Sequence, residues 1–198
     1  MSIVQPYYNR EVTKVQAPKG ASSQAGSGPL YQSLKVMHWN ILAQRLTKDF
    51  GAIDPRVLTW SHRSKLIKQH IKEMDPDVLG ISEFDCIETD LPADYNRADF
   101  DLTSPVAAKD LLKFLTMEMD YDFQLVEKAN GLSASAVFFK SKKFKCLNKG
   151  YIDLDTKPMA RAMVYCHLEE VNSSLKFLFA EAHLKAMPGQ VNEVHRFK

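Results

Sequence analysis

Several features that mark common protein classes are missing from this 198-residue chain. Its three cysteines form no CxxC pair, so neither a disulfide framework nor a thiolate metal centre is indicated. The net charge is only +2, so no strong field points to nucleic acid or membrane. No apolar run reaches the roughly 18 to 20 residues that span a bilayer, and the N-terminus lacks a secretory apolar core. We therefore expect a protein without a membrane span, in the cytoplasm first, the nucleus second and the mitochondrion as a weaker alternative.

The familiar nucleotide and hydrolase motifs are also missing. There is no Walker A motif, no GxGxxG and no GxSxG, so a nucleotide fold or a serine hydrolase has no support. No pair of histidines or cysteines stands at zinc-ligand spacing, which makes zinc a poor candidate. The overall composition, with 45% hydrophobic and 25% charged residues, is that of an ordinary globular protein.

The first 33 residues differ from the rest in composition. Proline, glycine and serine are frequent there and large aliphatic residues are few, which predicts a flexible N-terminal extension over 1–33. A targeting or docking arm and a plain spacer are both open. The folded domain is expected over 34–198.

The next segments alternate between strand and helix patterns. Leu34–Asn40 is an apolar strand, and an amphipathic pattern predicts a helix from about Trp60 to Met74, with Ser61 as N-cap and residues 41–56 as a loop. The continuous apolar run VLGIS, at 78–82, predicts a central buried strand. A strand, helix and strand in this order predict parallel neighbours joined by a right-handed crossover.

The second half of the chain changes period. A helix is predicted over about 106–119, and from Tyr121 onwards the alternation has a period of two, with Asn130-Gly131 as a turn. The last two strands read as a hairpin around the polar turn at 172–174. Together these patterns predict an α/β fold, with a mixed β-sheet and helices on one face.

Three apolar strands carry a polar side chain at or just after their end: Asn40, Glu83 and His183. We expect these three side chains to meet. A carboxylate after a fully apolar strand needs a cation, a donor or solvent, and one carboxylate with an amide and waters suits Mg²⁺. Taken singly, Asn40 could be a turn former, Glu83 an exposed strand-end acid and His183 a core histidine.

A family resemblance rests on the order of several motifs: VMHWNILAQ, a helix with Trp60 and Arg63, PDVLGISEFD, the strand AVFFKSKKFK after an NG turn, and AHLKA. In these the chain resembles the endonuclease/exonuclease/phosphatase superfamily, and within it the deadenylase-like branch with its nocturnin-like members. The resemblance covers about 34–198, roughly the first half of the family domain. It implies half of a four-layer α/β/β/α sandwich and Mg²⁺-dependent hydrolysis of phosphate esters, on a substrate such as an RNA 3′ end or NADP(H).

The resemblance also assigns roles to single residues. Glu83 matches the metal-binding glutamate, Asn40 the asparagine that positions metal and phosphate, and His183 the histidine that stabilises charge on the phosphoryl group. Lys185 matches a basic residue that faces the substrate phosphates, and Lys128 is a weaker match for a similar role. Arg63 is expected to be structural rather than part of the site.

The chain also departs from the family pattern. Ser82 replaces a glutamine, Ser133-Ala134 replaces Asp-Gly, Met187 replaces an arginine, and Glu181 stands where other deadenylases have asparagine. The family's later catalytic residues would fall beyond Lys198, so the domain is expected to be truncated at its C-terminus.

Three functions remain open from the sequence. The chain is an incomplete Mg²⁺-dependent phosphoric-ester hydrolase, a catalytically inactive or regulatory fragment with a binding role, or a non-enzymatic α/β module. Half of a two-sheet sandwich would leave an apolar sheet face uncovered, so we also expect low solubility or self-association.

Overall fold

A computed structural model describes residues 12–15, 33–84, 107–127, 133–154 and 162–184. Eight strands are found in these ranges: β1 Val12–Val15, β2 Leu34–Asn40, β3 Val78–Phe84, β4 Tyr121–Glu127, β5 Ala134–Lys140, β6 Phe144–Asp153, β7 Ala162–Glu170 and β8 Lys176–Ala182. The α-helices are α1 Pro55–Leu58, α2 Trp60–Met74 and α3 Ala107–Lys113. No helix within these ranges has both the length and the apolar character needed to cross a bilayer.

The strands form two sheets. The larger one has the order β1-β2-β3-β5-β4, with β2 and β3 parallel and the other pairs antiparallel. The smaller one is antiparallel, with the order β6-β7-β8. The parallel pair follows from the crossover through α2, and the predicted hairpin at 172–174 joins β7 to β8. The predicted mixed α/β fold is therefore confirmed.

Two apolar clusters hold the layers together. One lies between the larger sheet and the helices, and it includes Ile71, Leu79, Ile81 and Leu115. The other lies between the two sheets, where Val137 and Phe139 of β5 share a cluster with Val164 and Leu168 of β7. This is the pattern expected when successive strand residues point to opposite faces and both faces are covered. Helices, first sheet and second sheet thus form three successive layers in the described residues.

The sequence predicted that the inner apolar face of the sheet would be uncovered. Over the central strands the three-stranded sheet packs on that face, so this expectation is not met there. Exposed apolar residues lie instead on the opposite face of β6–β8. Leu178 is 63% exposed and Ile152 is 49% exposed. Their partners on β7 alternate with the buried Val164, Cys166 and Leu168, so both residues lie on the outer face of this sheet.

Within 1–33, the structure corrects the expectation of a wholly flexible extension at one place. Val12–Val15 is an edge strand antiparallel to β2, because the sequence VTKV carries three β-branched residues and can pair with the free edge of β2. The rest of that segment lies outside the described residues.

Local boundaries differ from the predictions in three further places. The N-cap of α2 is Thr59, whose hydroxyl oxygen accepts from the His62 N–H, rather than Ser61. The loop at 41–56 contains a 3₁₀ helix, Gln44–Asp49, and the start of α1. The helix expected over 106–119 is α3 followed by a π-helical turn, Phe114–Glu118.

Candidate active site

The side chains of Asn40, Glu83 and His183 lie together at one end of the sheets. The Asn40 Nδ2 donates to Glu83 Oε1 at 2.9 Å, and His183 Nε2 lies 3.3 Å from the same oxygen. The three groups come from β2, β3 and the residue just after β8. The predicted convergence of an amide, a carboxylate and an imidazole is therefore present, while their catalytic roles stay predictions.

A β-bulge directs Glu83 to this place. In a regular strand Glu83 would continue the face of Leu79 and Ile81, which lies in the cluster beneath the helices. The register between β3 and β5 shifts between Ile81 and Phe84, so Phe84 takes the place in that cluster. Glu83 itself has a φ of 55°, a left-handed conformation that is uncommon outside glycine. Strained backbone of this kind clusters at functional sites.

Asn40 also builds the turn that follows β2. Its Oδ1 accepts from the Leu42 N–H at 2.9 Å, and Leu42 has a φ of 60°. This is the Asx type of turn, in which the side chain bonds to the backbone two residues on. Asn40 is thus both the turn former and the donor to Glu83, so the two sequence interpretations of this residue are compatible.

The turn brings a backbone donor to Glu83. The Ala43 N–H donates to Glu83 Oε2 at 3.0 Å, and this contact was not predicted, since a backbone group leaves no signal in the sequence. Arg63 fixes the same turn from α2: its guanidinium donates to the carbonyl oxygens of Ile41 and Leu42 and to Gln44 Oε1. Arg63 therefore supports the site from outside, as expected for a structural residue.

Glu83 can still accept a cation. An ionised carboxylate has about four acceptor positions, and among the described residues three donors face it, from Asn40, Ala43 and His183. Its side chain is 10% exposed, so it is nearly buried and keeps only a small contact with solvent. No group of three or more His, Cys, Asp or Glu side chains that could hold a metal ion occurs in the described ranges. A metal ion here would therefore take Glu83 as its protein carboxylate and complete its shell with water or substrate oxygens, as Mg²⁺ does.

The two predicted substrate-binding lysines, Lys128 and Lys185, lie outside the described residues. Lys128 follows the end of β4 directly, and Lys185 is two residues beyond His183. Their proposed contact with substrate phosphates stays a prediction.

Comparison of the sequence with known proteins finds nocturnin and Ccr4 among its relatives. No protein-family model matches the chain. The sequence is 30% identical over 162 residues to nocturnin of Homo sapiens, covering 79% of this chain and 35% of that protein. It is also 30% identical over 133 residues to the CCR4-Not complex 3'-5'-exoribonuclease subunit Ccr4 of Neurospora crassa, covering 66% of this chain and 16% of that one.

Solved structures show the same fold. The human nocturnin catalytic domain with a bound sulfate anion superposes with a TM-score of 0.58 at 24% identity, covering 95% of this chain and 58% of that one. ANGEL2, a 2',3'-cyclic phosphatase, superposes with a TM-score of 0.55 at 20% identity, covering 76% of this chain and 40% of that one. The chain spans well under half the length of the curated relatives it matches. The chain is thus similar in sequence to nocturnin and Ccr4, and it has the fold of the endonuclease/exonuclease/phosphatase proteins.

Proposed function

We propose that this chain carries the metal and phosphate half of the site of a Mg²⁺-dependent phosphoric-ester hydrolase. The observation that supports this most is that the side chains of Asn40 and His183 both contact the same carboxylate oxygen, Oε1 of Glu83. An ordinary strand-end acid would not be met by an amide and a backbone N–H from the turn after β2 and by an imidazole from the end of β8.

Each residue has a distinct part in the proposal. Glu83 would hold Mg²⁺, which when bound polarises a phosphoryl oxygen of the substrate. Asn40 orients the Glu83 carboxylate and, through its turn, the Ala43 N–H. The His183 imidazole, which is 22% exposed, can donate to a phosphoryl oxygen as charge develops there. Lys185 and Lys128 would add positive charge for the phosphates.

The substrate class is proposed from the relatives. The Ccr4 relative is named a 3'-5'-exoribonuclease, a name that describes cleavage of phosphate esters from the 3′ end of an RNA, and the ANGEL2 neighbour is named a 2',3'-cyclic phosphatase. The first substrate to test is therefore an RNA 3′ end. NADP(H), which the nocturnin-like resemblance implies, is the second.

Hydrolysis of oligo(A) and of NADPH by the full chain, with and without Mg²⁺, tests the proposal. We expect Mg²⁺-dependent turnover that falls by roughly 10²–10³ in His183→Ala, the size seen when one charge-stabilising donor is removed. Glu83→Gln should lose the Mg²⁺-dependent turnover, because the amide cannot hold the cation. Glu73→Gln on the exposed face of α2 is the matched control and should behave as the parent. Turnover that is unaffected by Glu83→Gln would contradict the proposal.

A binding or regulatory role is the second candidate, and it is favoured by Ser133 and Ala134, which stand where the family pattern has Asp-Gly. In that case the chain would bind Mg²⁺ and a phosphate-bearing ligand through Glu83 without turnover. Calorimetry with Mg²⁺ and an oligo(A) ligand separates the two functions: binding that Glu83→Gln abolishes, together with no product, indicates the binding role.

A further inference from the structure

A buried acid lies between the two sheets, directly beneath the candidate site. Glu181 of β8 is 2% exposed, and its Oε2 lies 2.7 Å from Nε2 of His38 on β2. Its other oxygen, Oε1, has no hydrogen-bond partner among the described residues. The His38 side chain is 54% exposed, so solvent weakens the attraction from that side, and desolvation of Glu181 offsets it further. The pair therefore calls for a reason other than stability.

The space for Glu181 depends on a glycine in a third strand. A Cβ on Gly80 of β3 would stand 3.0 Å from Glu181 Oε2, 3.3 Å from the Phe179 ring and 3.4 Å from the His38 ring. A Cβ at position 80 would therefore require the carboxylate and the two rings to shift slightly to make room. The hydroxyl of Ser82, two residues further along β3, is 3.4 Å from His38 Nε2. Three strands from two sheets thus supply the parts of one polar layer.

This layer is one step below the site on the same strands. His38 is two residues before Asn40 on β2, and Glu181 is two residues before His183 on the chain of β8. Residues two apart in a strand point to the same face. β2 and β8 belong to different sheets and share no strand pairing. The contact between His38 and Glu181 therefore joins the strand that carries Asn40 to the strand that leads to His183.

We infer that Glu181 and His38 are positioning residues, whose hydrogen bond fixes β8 against β2 and so holds the His183 imidazole against Glu83. The inference rests on the proposed function, since that proposal assigns to His183 the stabilisation of charge on the phosphoryl group. Without His38, Glu181 has no hydrogen-bond donor in the described part of the chain, and a buried unpaired carboxylate moves toward water. Such a movement of β8 would draw His183 away from its 3.3 Å contact with Glu83.

Two substitutions of His38 in the full chain test the inference. His38→Leu removes the donor to Glu181, whereas His38→Gln keeps an N–H donor of similar reach. The first measurement is the ¹⁵N NMR signal of the His183 ring nitrogens, recorded at the same pH for all variants, which reports the hydrogen bonding of that imidazole without any substrate. The second is the kinetic split between kcat and KM for Mg²⁺-dependent hydrolysis.

The expected result is a shift of the His183 signals in His38→Leu and their return in His38→Gln. Because a displacement of about 1 Å in a catalytic group can cost about 10²-fold, kcat should fall by about that factor in His38→Leu while KM changes little. Phe179→Leu, which alters the same layer without touching the hydrogen bond, and His62→Leu, an exposed histidine of α2, are the controls and should leave the His183 signals in place.

The inference is overturned if a folded His38→Leu gives parental His183 signals, or if His38→Gln shifts them as far as His38→Leu does. Should His38→Leu fail to fold, the double variant with Glu181→Leu removes both polar groups together and avoids the unpaired charge. Shifted His183 signals in that background support the inference, and unchanged signals overturn it. Absence of turnover in the parent chain would count against the proposed function alone, since the NMR comparison needs no activity.

Discussion

Replacing Arg63 by alanine should destabilise the protein through the turn that carries the site. The guanidinium donates to the carbonyl oxygens of Ile41 and Leu42 and to Gln44 Oε1, the last at 2.9 Å. It also lies 5.8 Å from the centroid of the Trp60 ring. In Arg63→Ala all of these contacts are lost at once, and two carbonyl groups beside the candidate site lose their donor.

The size of the effect follows from these contacts. Two partly buried carbonyls left without this donor cost about 1 kcal/mol each, and the bond to Gln44 adds about 0.5 to 1. The contact with the Trp60 ring adds about 0.5 kcal/mol. The free energy of unfolding should thus fall by about 3 kcal/mol. Arg63→Lys keeps the charge but not the planar fork, so its loss should be intermediate.

Urea unfolding followed by circular dichroism measures this loss. The control is Arg56→Ala, because the Arg56 side chain is 89% exposed and its ion pair with Asp54 lies at the surface; it should change the free energy by less than about 0.5 kcal/mol. The Ala43 amide signal in a ¹H–¹⁵N spectrum should also move in Arg63→Ala, since that N–H donates to Glu83. A loss below about 1 kcal/mol, or an unmoved Ala43 signal, would show that Arg63 does not hold this turn in place.

Three other outcomes are expected. The hydrogen bond that His38 donates to Glu181, opposed by burial, raises the pKa of His38 above its ordinary 6.5. The contribution of this bond to stability is therefore full below about 6.5 and is lost as pH rises through the folded-state pKa. Urea unfolding from pH 5.5 to 8 should therefore show the parent's advantage over His38→Gln shrinking with pH; a growing advantage would contradict this. Tyr121→Phe should cost about 1 to 2 kcal/mol in the same assay, because its buried hydroxyl donates to the Pro76 carbonyl; a loss no larger than that of the exposed Tyr151→Phe would be a negative result. Leu178→Lys should reduce self-association in sedimentation velocity, since Leu178 is 63% exposed on the outer sheet face; a parent chain that is already monomeric would exclude the effect.

The fold could be predicted from the sequence where the period of apolar residues was unambiguous. The bounds of β2 and the extent of α2 follow from such patterns, and the parallel pairing of β2 with β3 follows from the crossover rule. The edge strand Val12–Val15 was missed because it is short and lies in a segment rich in proline, glycine and serine. Such a strand depends on a neighbour's free edge, which a local pattern does not record.

The candidate site could be predicted only as a set of strand ends. The sequence indicated that Asn40, Glu83 and His183 would be neighbours, but not how Glu83 turns toward them. In this chain the turn needs a bulge and a positive φ at a glutamate, a position at which no glycine or asparagine signals the conformation. The Ala43 N–H contact and the pairing of Glu181 with His38 also arise from tertiary geometry alone.

The proposal that Glu83 holds a divalent cation can be tested directly by locating the place where such a cation binds. Mn²⁺, a paramagnetic substitute for Mg²⁺ with similar oxygen ligands, is titrated into ¹⁵N-labelled chain and the broadening of each amide signal is recorded. We predict that the amides of Ala43, Glu83 and His183 broaden first, and that Glu83→Gln abolishes this broadening while the rest of the spectrum stays unchanged. Broadening centred elsewhere, or broadening at this site that persists in a folded Glu83→Gln, would contradict it.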